Sequence, residues 1–371
     1  MSLIREGVEL RRHLVFIVCL SCVHGVEVGA AAATVETVPD HAVVLLYHHV
    51  DTTTPPSTSV APEVFEEHLE YLDRHGFRVL SLPAVIDSLT SGTGLPDSVV
   101  VFTFDDGYES VYSEAFPRLR QRGWPFAVFV CPDAVDHRRG PVLTWDQMRE
   151  MAAAGATIAN HGNLHAHMQR KGAGESEAAW TARTREELEA AAEAIRDRIG
   201  QDPGLFAYPY GEYDAALRQI VADLGWTGFG QQSGALQRIT DRTLLPRFPM
   251  AGVFASMETF GTKVGCLPLP VVSAEPADPN LPLETGRDFR PVLQLTLAEG
   301  DYQQAQLASY ASGQGAAALT WIDVQRRILE IRSEQPLAPG RSRYNVTAPS
   351  SAGNRWYWYS HTWILGQVHE D

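Results

Sequence analysis

Two adjacent carboxylates, Asp105 and Asp106, are the residues whose type and position point most directly to chemistry. They follow the apolar, β-branched run 99–104, which predicts a buried central strand. Ligands bind at the carboxyl ends of such strands in parallel α/β folds, and buried carboxylates there must be paired or metal-bound. Neighbouring side chains point in different directions, so one aspartate can bind a cation while the other faces the substrate and takes a proton. The simpler interpretation is a strand followed by an Asp-Gly turn at Gly107.

Two histidines, His161 and His165, form a second cluster directly after a predicted strand at 157–159. They can converge on one cation if the segment makes one helical turn, with ring nitrogens about 2.0 to 2.1 Å from a zinc ion. The alternative is a solvated, histidine-rich loop, because His167 follows at once. A third cluster at 208–211 follows another predicted strand and by itself is an ordinary turn.

Short apolar segments alternate with amphipathic segments from residue 43 to residue 229, which predicts alternating strands and helices. The predicted strands are 43–47, 78–80, 99–104, 126–130, 157–159, 205–207 and 226–229. The predicted helices are 62–75, 83–89, 109–122, 144–155, 176–199 and 212–224. This alternation favours a distorted (β/α) barrel of about seven parallel strands.

All three clusters lie at the exits of predicted strands, where a barrel would bring them together. With this order of motifs, the chain resembles the NodB-type polysaccharide deacetylases, carbohydrate esterase family four. Residues 103–107 (Thr-Phe-Asp-Asp-Gly) match the first motif, His161-x-x-x-His165 matches the second, and Pro-Tyr-Gly at 209–211 matches the core of the third. The resemblance covers residues 43–250.

The resemblance implies a role for each matching residue. Asp105 would be the general base that takes a proton from the attacking water, and the backbone N–H of Tyr210 would stabilise the oxyanion. Asp106, His161 and His165 would hold a divalent metal with an open coordination position, most simply zinc, with cobalt, nickel or manganese as alternatives.

The motifs depart from the family pattern at two positions. Gly162 stands where the family usually has Ser or Thr, so the hydrogen bond expected there is missing or comes from Asn163 or Asn160. Ala207 stands where the family usually has an arginine that orients the base. Our hypothesis is that Arg247 supplies this guanidinium from elsewhere, since arginine can hold a carboxylate with two hydrogen bonds.

The group that protonates the leaving amine is not in its usual place, because no histidine lies between His167 and His361. The segment 45–50 (Leu-Leu-Tyr-His-His-Val) resembles the start of the poly-N-acetylglucosamine deacetylases, whose motifs are permuted so that an N-terminal strand delivers this histidine. By that resemblance His48 is the candidate acid. His49 is the alternative, because the two-residue period of a strand directs only one of them to the site.

Beyond the barrel, residues 40–266 in this reading, the composition changes. The proline-dense stretch 267–288 predicts a linker, and the alternating apolar pattern after it predicts a small antiparallel β domain over 289–371. The aromatic run 356–359 has two interpretations: core residues of that domain, or a surface that stacks on sugar rings.

The charge balance limits the partners. The 371 residues carry a formal net charge of −15, which argues against nucleic acid or an anionic membrane surface. Residues 1–33 combine a basic region, a short apolar region and a run of small residues, which predicts a signal peptide. The mature chain would then be secreted or periplasmic and would have no integral membrane span. Lipid attachment at Cys22, which would hold the chain at the envelope, is the minority interpretation. Cys131 and Cys266 would remain, with pairing left open. The oligomeric state is not predicted.

Together these observations predict a secreted, metal-dependent N-deacetylase that removes acetyl groups from an N-acetylglucosamine-containing polysaccharide. Two alternatives are an O-acetyl esterase acting on an acetylated glycan, since esters are attacked more easily than amides, and a glycan-binding protein that keeps the fold but turns over weakly.

Overall fold

A sheet of parallel strands forms the first part of the structure, a computed structural model that describes residues 40–201, 204–281 and 288–366. The strand order is β10-β1-β5-β6-β7-β8-β9, and β4 pairs with β5 beside this path. The strands of this part of the chain are β1 (Val43–Tyr47), β2 (His49–Val50), β3 (Ser59–Val60), β4 (Arg78–Val79), β5 (Val99–Phe104), β6 (Phe126–Val130), β7 (Thr157–Asn160), β8 (Leu205–Ala207), β9 (Thr227–Phe229) and β10 (Phe248–Pro249).

The segment 245–249 joins the two edges of this sheet. Leu245 forms a parallel bridge with Phe229 in β9, and Phe248 of β10 pairs in parallel with Leu45 of β1. The result is the distorted barrel of seven parallel strands that the sequence predicts. The signal peptide predicted at 1–33 lies outside the described residues.

Helices connect the strands, and most begin and end where the sequence predicts. The helices are α1 (Pro62–Arg74), α2 (Leu82–Ser91), α3 (Phe116–Gln121), α4 (Pro132–Asp136), α5 (Trp145–Ala153), α6 (Glu177–Ile199), α7 (Ala215–Asp223) and α8 (Met257–Val264). Thr144 and Gln147 form the predicted capping box at the start of α5. The predicted helix 109–122 is interrupted, with a π-helical turn at Val111–Ala115 before α3. Pro117 has no N–H to continue a regular α-helix through this point.

The central strand β5 is buried along its whole length. Its side chains alternate between two hydrophobic clusters: Val100, Phe102 and Phe104 belong to one, and Val99 and Val101 belong to the other. Burial on both faces explains the continuous apolar run, and the charged residues begin only where the strand ends.

Two further sheets follow the barrel. One has the order β11-β20-β19-β15-β16 with β13 paired to β20, and the other has the order β12-β14-β18-β17. Their strands are β11 (Leu267–Pro268), β12 (Val271–Glu275), β13 (Asn280–Leu281), β14 (Val292–Leu297), β15 (Ala308–Ala311), β16 (Gly315–Ala316), β17 (Ala318–Asp323), β18 (Ile328–Arg332), β19 (Gly340–Pro349) and β20 (Trp356–Leu365). A shared hydrophobic cluster that includes Leu293, Leu329, Val346 and Trp363 packs between them.

The stretch 267–288 is not simply a linker where the structure describes it. It supplies β11, β12 and β13, and each of these pairs with a strand of the C-terminal sheets. Proline is tolerated here because these strands are short or lie at sheet edges, where a missing backbone donor costs little. The aromatic run 356–359 belongs to β20, with Tyr357 buried and Trp356 exposed. Cys131 and Cys266 are both buried and unpaired.

No helix among the residues described has the length and apolar character needed to cross a membrane.

A buried histidine behind β1 predicts a pH dependence of stability. His68 donates a hydrogen bond from Nε2 to the Ala255 carbonyl (2.7 Å), its Nδ1 lies 3.0 Å from the Tyr47 hydroxyl, and burial favours the neutral ring. Burial lowers the pKa of His68 to about 4.

Because the unfolded chain binds this proton more tightly, folding stability should fall as the pH drops from about 6.5 to about 4, by on the order of 3 kcal/mol from this residue. Urea unfolding across this range measures the effect. In His68→Gln the free energy of unfolding should depend less steeply on pH, by up to one proton. If the free energy of unfolding of His68→Gln depends on pH as steeply as that of the wild type, His68 is not the source of this pH dependence.

Candidate active site

The residues that the sequence singles out for chemistry lie together, all at the exits of barrel strands except Arg247. Asp105 and Asp106 follow β5, His161 and His165 follow β7, and Tyr210 follows β8. His48 follows β1, and Arg247 immediately precedes β10, the neighbour of β1. This is the carboxyl edge of a parallel sheet, where the βα loops of a barrel form a site.

Asp105 is held by a fully buried arginine. Arg247 donates from Nη1 to Asp105 Oδ1 (2.7 Å) and from Nη2 to Oδ2 (2.8 Å), and both side chains are completely buried. The guanidinium also donates from Nε to the Gly230 carbonyl (2.9 Å) and from Nη1 to the Thr103 hydroxyl (3.2 Å). These contacts give Arg247 one orientation and fix the plane of the Asp105 carboxylate.

This pairing decides the charge of Asp105. Burial alone would raise the pKa of Asp105, but the Arg247 guanidinium outweighs it and holds the pKa below its usual range. Asp105 is therefore ionised at neutral pH, as a proton acceptor must be. Arg247, which comes from a different part of the chain than Ala207, thus fixes the orientation of the Asp105 carboxylate.

Asp106, His161 and His165 form a second group. His161 Nε2 lies 3.2 Å and His165 Nε2 lies 3.1 Å from the same atom, Asp106 Oδ1, and the three ligand atoms all lie within 4.8 Å of one another. Asp106 Oδ1 and His161 Nε2 are buried and have no hydrogen-bond partner among the described residues. Buried polar atoms without partners are costly, so this arrangement calls for something that all three atoms bind.

A divalent cation fits this donor set. The Ala207 carbonyl accepts a hydrogen bond from His161 Nδ1 (2.8 Å), which leaves the lone pair of Nε2 directed at the shared point. Two imidazole nitrogens and one carboxylate oxygen are ligands that suit zinc and related metals. Ala207 stands where the family usually has an arginine, and it contributes to the site through its backbone.

Three of the residues at the site have positive φ angles, which are unusual for residues other than glycine. They are Asp106 (φ 70°), His165 (φ 55°) and Tyr210 (φ 58°). The two histidines converge without the helical turn considered above, since 161–165 is an irregular turn with a left-handed residue at His165. Strained backbone of this kind persists where surrounding contacts hold it, and it is concentrated at functional sites.

The turn between the two histidines also explains the departure at Gly162. Its φ of 75° favours glycine, and a Cβ atom there would lie 2.6 Å from Met168 Cε. Asn160 supplies the local hydrogen bond instead, because its Oδ1 accepts from the Gly162 N–H (2.7 Å). Glu187 from α6 accepts from the Leu164 N–H (2.6 Å). No sequence signal marks Glu187, since it lies in the middle of a long helix.

The two adjacent histidines after β1 face different surroundings. Burial lowers the pKa of His48, against the opposing effect of the nearby Asp105 and Asp106 carboxylates, so His48 lies within the field of the site. His49 instead stacks on Tyr108, with ring centroids 3.6 Å apart. Sequence reasoning missed Tyr108, whose pKa is raised by burial and by the neighbouring Asp106.

Tyr210 forms one wall of the site. Its ring lies 4.4 Å from that of His165 and stacks on His167, with centroids 3.9 Å apart and planes within 10°. Glu212 Oε2 lies 2.7 Å from His167 Nδ1 and orients that ring. His167, which the sequence suggests is only part of a histidine-rich loop, therefore supports the tyrosine wall.

Residues 93–229 match the family model described as polysaccharide deacetylase. The chain is 26% identical over 226 residues to the poly-β-1,6-N-acetyl-D-glucosamine N-deacetylase of Escherichia coli K12, an alignment covering 52% of this chain and 34% of that protein. The chain thus spans about a third of the length of that relative.

Two solved structures support the fold. IcaB from Ammonifex degensii is 26% identical, with a TM-score of 0.51 over 61% of this chain and 96% of that one. The deacetylase PplD of Streptococcus pyogenes, solved with acetate, superposes with a TM-score of 0.52 over 58% of this chain and 94% of that one, at 24% identity. The second likeness concerns the fold alone.

Proposed function

We propose that this protein is a metal-dependent N-deacetylase that releases acetate from an N-acetylglucosamine-containing polysaccharide. The observation that carries the proposal is the convergence of unpartnered atoms of Asp106 and His161 with His165, beside Asp105, inside a polysaccharide deacetylase domain. The likeness to a poly-N-acetylglucosamine deacetylase of Escherichia coli supports the substrate class.

Each residue of the site has a defined task in this proposal. Asp106, His161 and His165 hold a divalent cation, which when bound acidifies water and polarises an acyl oxygen. Asp105, ionised and oriented by Arg247, accepts the proton of the attacking water. The backbone N–H of Tyr210 stabilises the negative oxygen of the tetrahedral intermediate.

Acetate release from three acetylated substrates tests the proposal: β-1,6-linked N-acetylglucosamine oligomers, chitin oligomers and acetylated xylan, each with and without chelator. We expect chelator-sensitive release from a glucosamine-based oligomer. Release from acetylated xylan alone would indicate an O-acetyl esterase instead, and release from none of the three would leave a glycan-binding protein as the better description.

We propose His48 as the acid that protonates the departing glucosamine nitrogen. An amine is a poor leaving group unless it is protonated, whereas an activated aryl acetate needs no proton for departure. For His48→Ala we expect amide hydrolysis to fall by about 10² to 10⁴-fold and aryl acetate hydrolysis to change far less.

The pH profile provides a second readout of His48. Burial lowers the pKa of His48, so the alkaline limb of wild-type amide hydrolysis, which should report the loss of this proton, should lie at a lower pH than an ordinary histidine would give. His49→Ala is the matched control and should lack the selective defect. Equal losses on both substrates in His48→Ala, or a selective defect in His49→Ala, would remove His48 from this role.

We also propose that the chain is exported and that zinc is its metal. The pattern of residues 1–33 supports export, and the histidine-rich donor set supports zinc, with cobalt, nickel and manganese as the alternatives. Metal analysis of the protein purified from its natural compartment tests both points.

A further inference from the structure

A second surface, far along the chain from the deacetylase site, combines exposed aromatic rings with uncharged polar groups. We call it the aromatic groove: a cavity of about 290 Å³ between the sheet of β15, β19 and β20 and the helix α8. Its lining residues are Thr262, Tyr310, Asn345, Thr347, Trp356 and Trp358. Tyr310 and Trp356 are 42% and 40% exposed, which is high for rings of this size in a folded protein.

The register of the strands places these side chains on one face. Tyr310 is opposite Asn345, which is opposite Ser360, while Thr347 is opposite Trp358. Side chains alternate along a strand, so Trp356, Trp358 and Ser360 point to the same side of β20. The two tryptophans of the aromatic run 356–359 therefore line the groove, and Tyr357 belongs to the core.

The floor of the groove is fixed by local contacts. The Trp358 ring packs edge-on against Phe248 of the barrel, with centroids 5.4 Å apart. Its Nε1–H donates to the Ser360 hydroxyl (3.1 Å), which in turn donates to Asn345 Oδ1 (2.6 Å). The central ring is therefore held in place before any ligand arrives, which lowers the entropic cost of binding.

The groove is long enough for an oligomer. Tyr310 lies two strands away from Ser360 in the same row of paired residues, and Trp356 lies four residues from Ser360 along β20. The Tyr310 and Trp356 positions are therefore roughly 13 Å apart along the strands and roughly 10 Å apart across them. Two exposed rings so separated, with a third ring between them, can each stack on a different unit of one chain.

The chemistry of the lining points to a saccharide. We propose that the aromatic groove binds a neutral oligosaccharide segment of the glycan, apart from the deacetylase site. Aromatic faces match the apolar C–H faces of pyranose rings, and Asn345 and Thr347 match their hydroxyl and acetamido groups. The lining contains no aliphatic Leu, Ile, Val or Met, which a lipid-docking face would use, and no formal charge, although the whole chain carries −15.

This inference rests on the proposed function for the identity of the glycan, but its test is separate. The full-length protein, treated with chelator to stop turnover, is titrated calorimetrically with hexamers of β-1,6-linked N-acetylglucosamine, chitin and xylan. The double variant Tyr310→Ala/Trp356→Ala should weaken the binding of the preferred hexamer at least tenfold. The control Ile322→Ala removes a 53% exposed side chain from β17 in the other sheet and should bind as the wild type does.

Activity provides the second readout. With the metal restored, the double variant should raise KM for the polymer about tenfold with kcat unchanged, and it should hydrolyse an aryl acetate as the wild type does. Wild-type hexamer affinity in a folded double variant, or no hexamer binding by the wild type, would overturn the groove as a saccharide site. A changed sedimentation behaviour with unchanged hexamer affinity would identify the groove as a self-association surface and also overturn the proposal.

Failure of the groove and failure of the proposed function are distinguishable. Acetate release with groove-independent hexamer binding would remove only the groove. Groove-dependent binding without acetate release from any glycan would remove only the deacetylase activity.

Discussion

Asp106→Ala is expected to abolish metal binding and acetate release together, whereas Asp105→Asn is expected to keep the metal and to lower kcat by about 10² to 10⁴-fold. Asp106 Oδ1 is the atom that both metal-site histidines approach, so its removal leaves two ligands and no stable site. Asparagine at position 105 keeps the volume of the side chain and removes only its ability to take a proton. Metal content and acetate release, measured on the same samples, separate the two effects.

Two further variants serve as a repeat and as a control for this comparison. His165→Ala should behave as Asp106→Ala does, because it also removes a ligand. His137→Ala changes an exposed histidine outside the site and should retain both metal and activity. Should Asp105→Asn lose the metal while Asp106→Ala keeps it, the division of labour between the two aspartates is the reverse of the one proposed.

Arg247→Met is expected to lower the free energy of unfolding at neutral pH by about 3 to 5 kcal/mol, the usual cost of leaving one partner of a buried ion pair alone. Both side chains of the Arg247–Asp105 pair are completely buried, so solvent cannot compensate for the loss. Without the guanidinium, the pKa of Asp105 should rise, because burial raises it and the largest effect that lowers it is gone, so Asp105 should become a less available proton acceptor at a given pH.

The sign of the pH dependence follows from the lowered pKa of Asp105 in the wild type. The pair stabilises the folded state above the ordinary aspartate pKa of about 3.9 and loses this contribution as the pH falls below it. The stability difference between the wild type and Arg247→Met should therefore shrink in acid, as urea unfolding at several pH values would measure. In Asp105→Asn/Arg247→Met the loss should be smaller than in Arg247→Met, because no buried charge remains unpaired.

Arg247→Lys tests orientation separately from charge. A lysine keeps the positive charge but cannot make two parallel hydrogen bonds to Asp105, so kcat should fall even where the protein stays folded. Full activity in Arg247→Lys would remove the orienting role from this residue.

The barrel was predictable because its local signals agree with one another. The apolar run 99–104, the capping box at Thr144 and the glycine stop at Gly200 each specify an element by its own residues, and each appears in the structure. The short strand β10 was not predictable in this way, because two residues ending in proline carry no strand pattern. Its existence depends on pairing with β1, which is distant in sequence.

In the site, too, some features follow from local sequence and others depend on residues that are distant in the chain. Ala207 stands at the position where the family usually has an arginine, and Arg247, from a distant part of the chain, makes two hydrogen bonds to Asp105. The supporting contacts of Glu187, Tyr108 and Glu212 were missed, since each depends on how helices and loops fold back onto the strand ends. The short strands of 267–281 were missed because proline density indicates irregular backbone wherever pairing partners are unknown.

Stepwise restoration of metal to the chelated protein tests the central claim most directly. Zinc is added to metal-free protein, and acetate release from the preferred N-acetylglucosamine oligomer and bound metal are measured at each addition. We predict that the wild type releases no acetate without metal and that its activity rises in proportion to bound zinc. Activity should saturate at about one ion per chain, as a single three-ligand site requires. Asp106→Ala should recover no activity at any zinc concentration. Full acetate release by the metal-free protein, or recovery of activity in Asp106→Ala, would contradict the assignment of Asp106, His161 and His165 as the catalytic metal site.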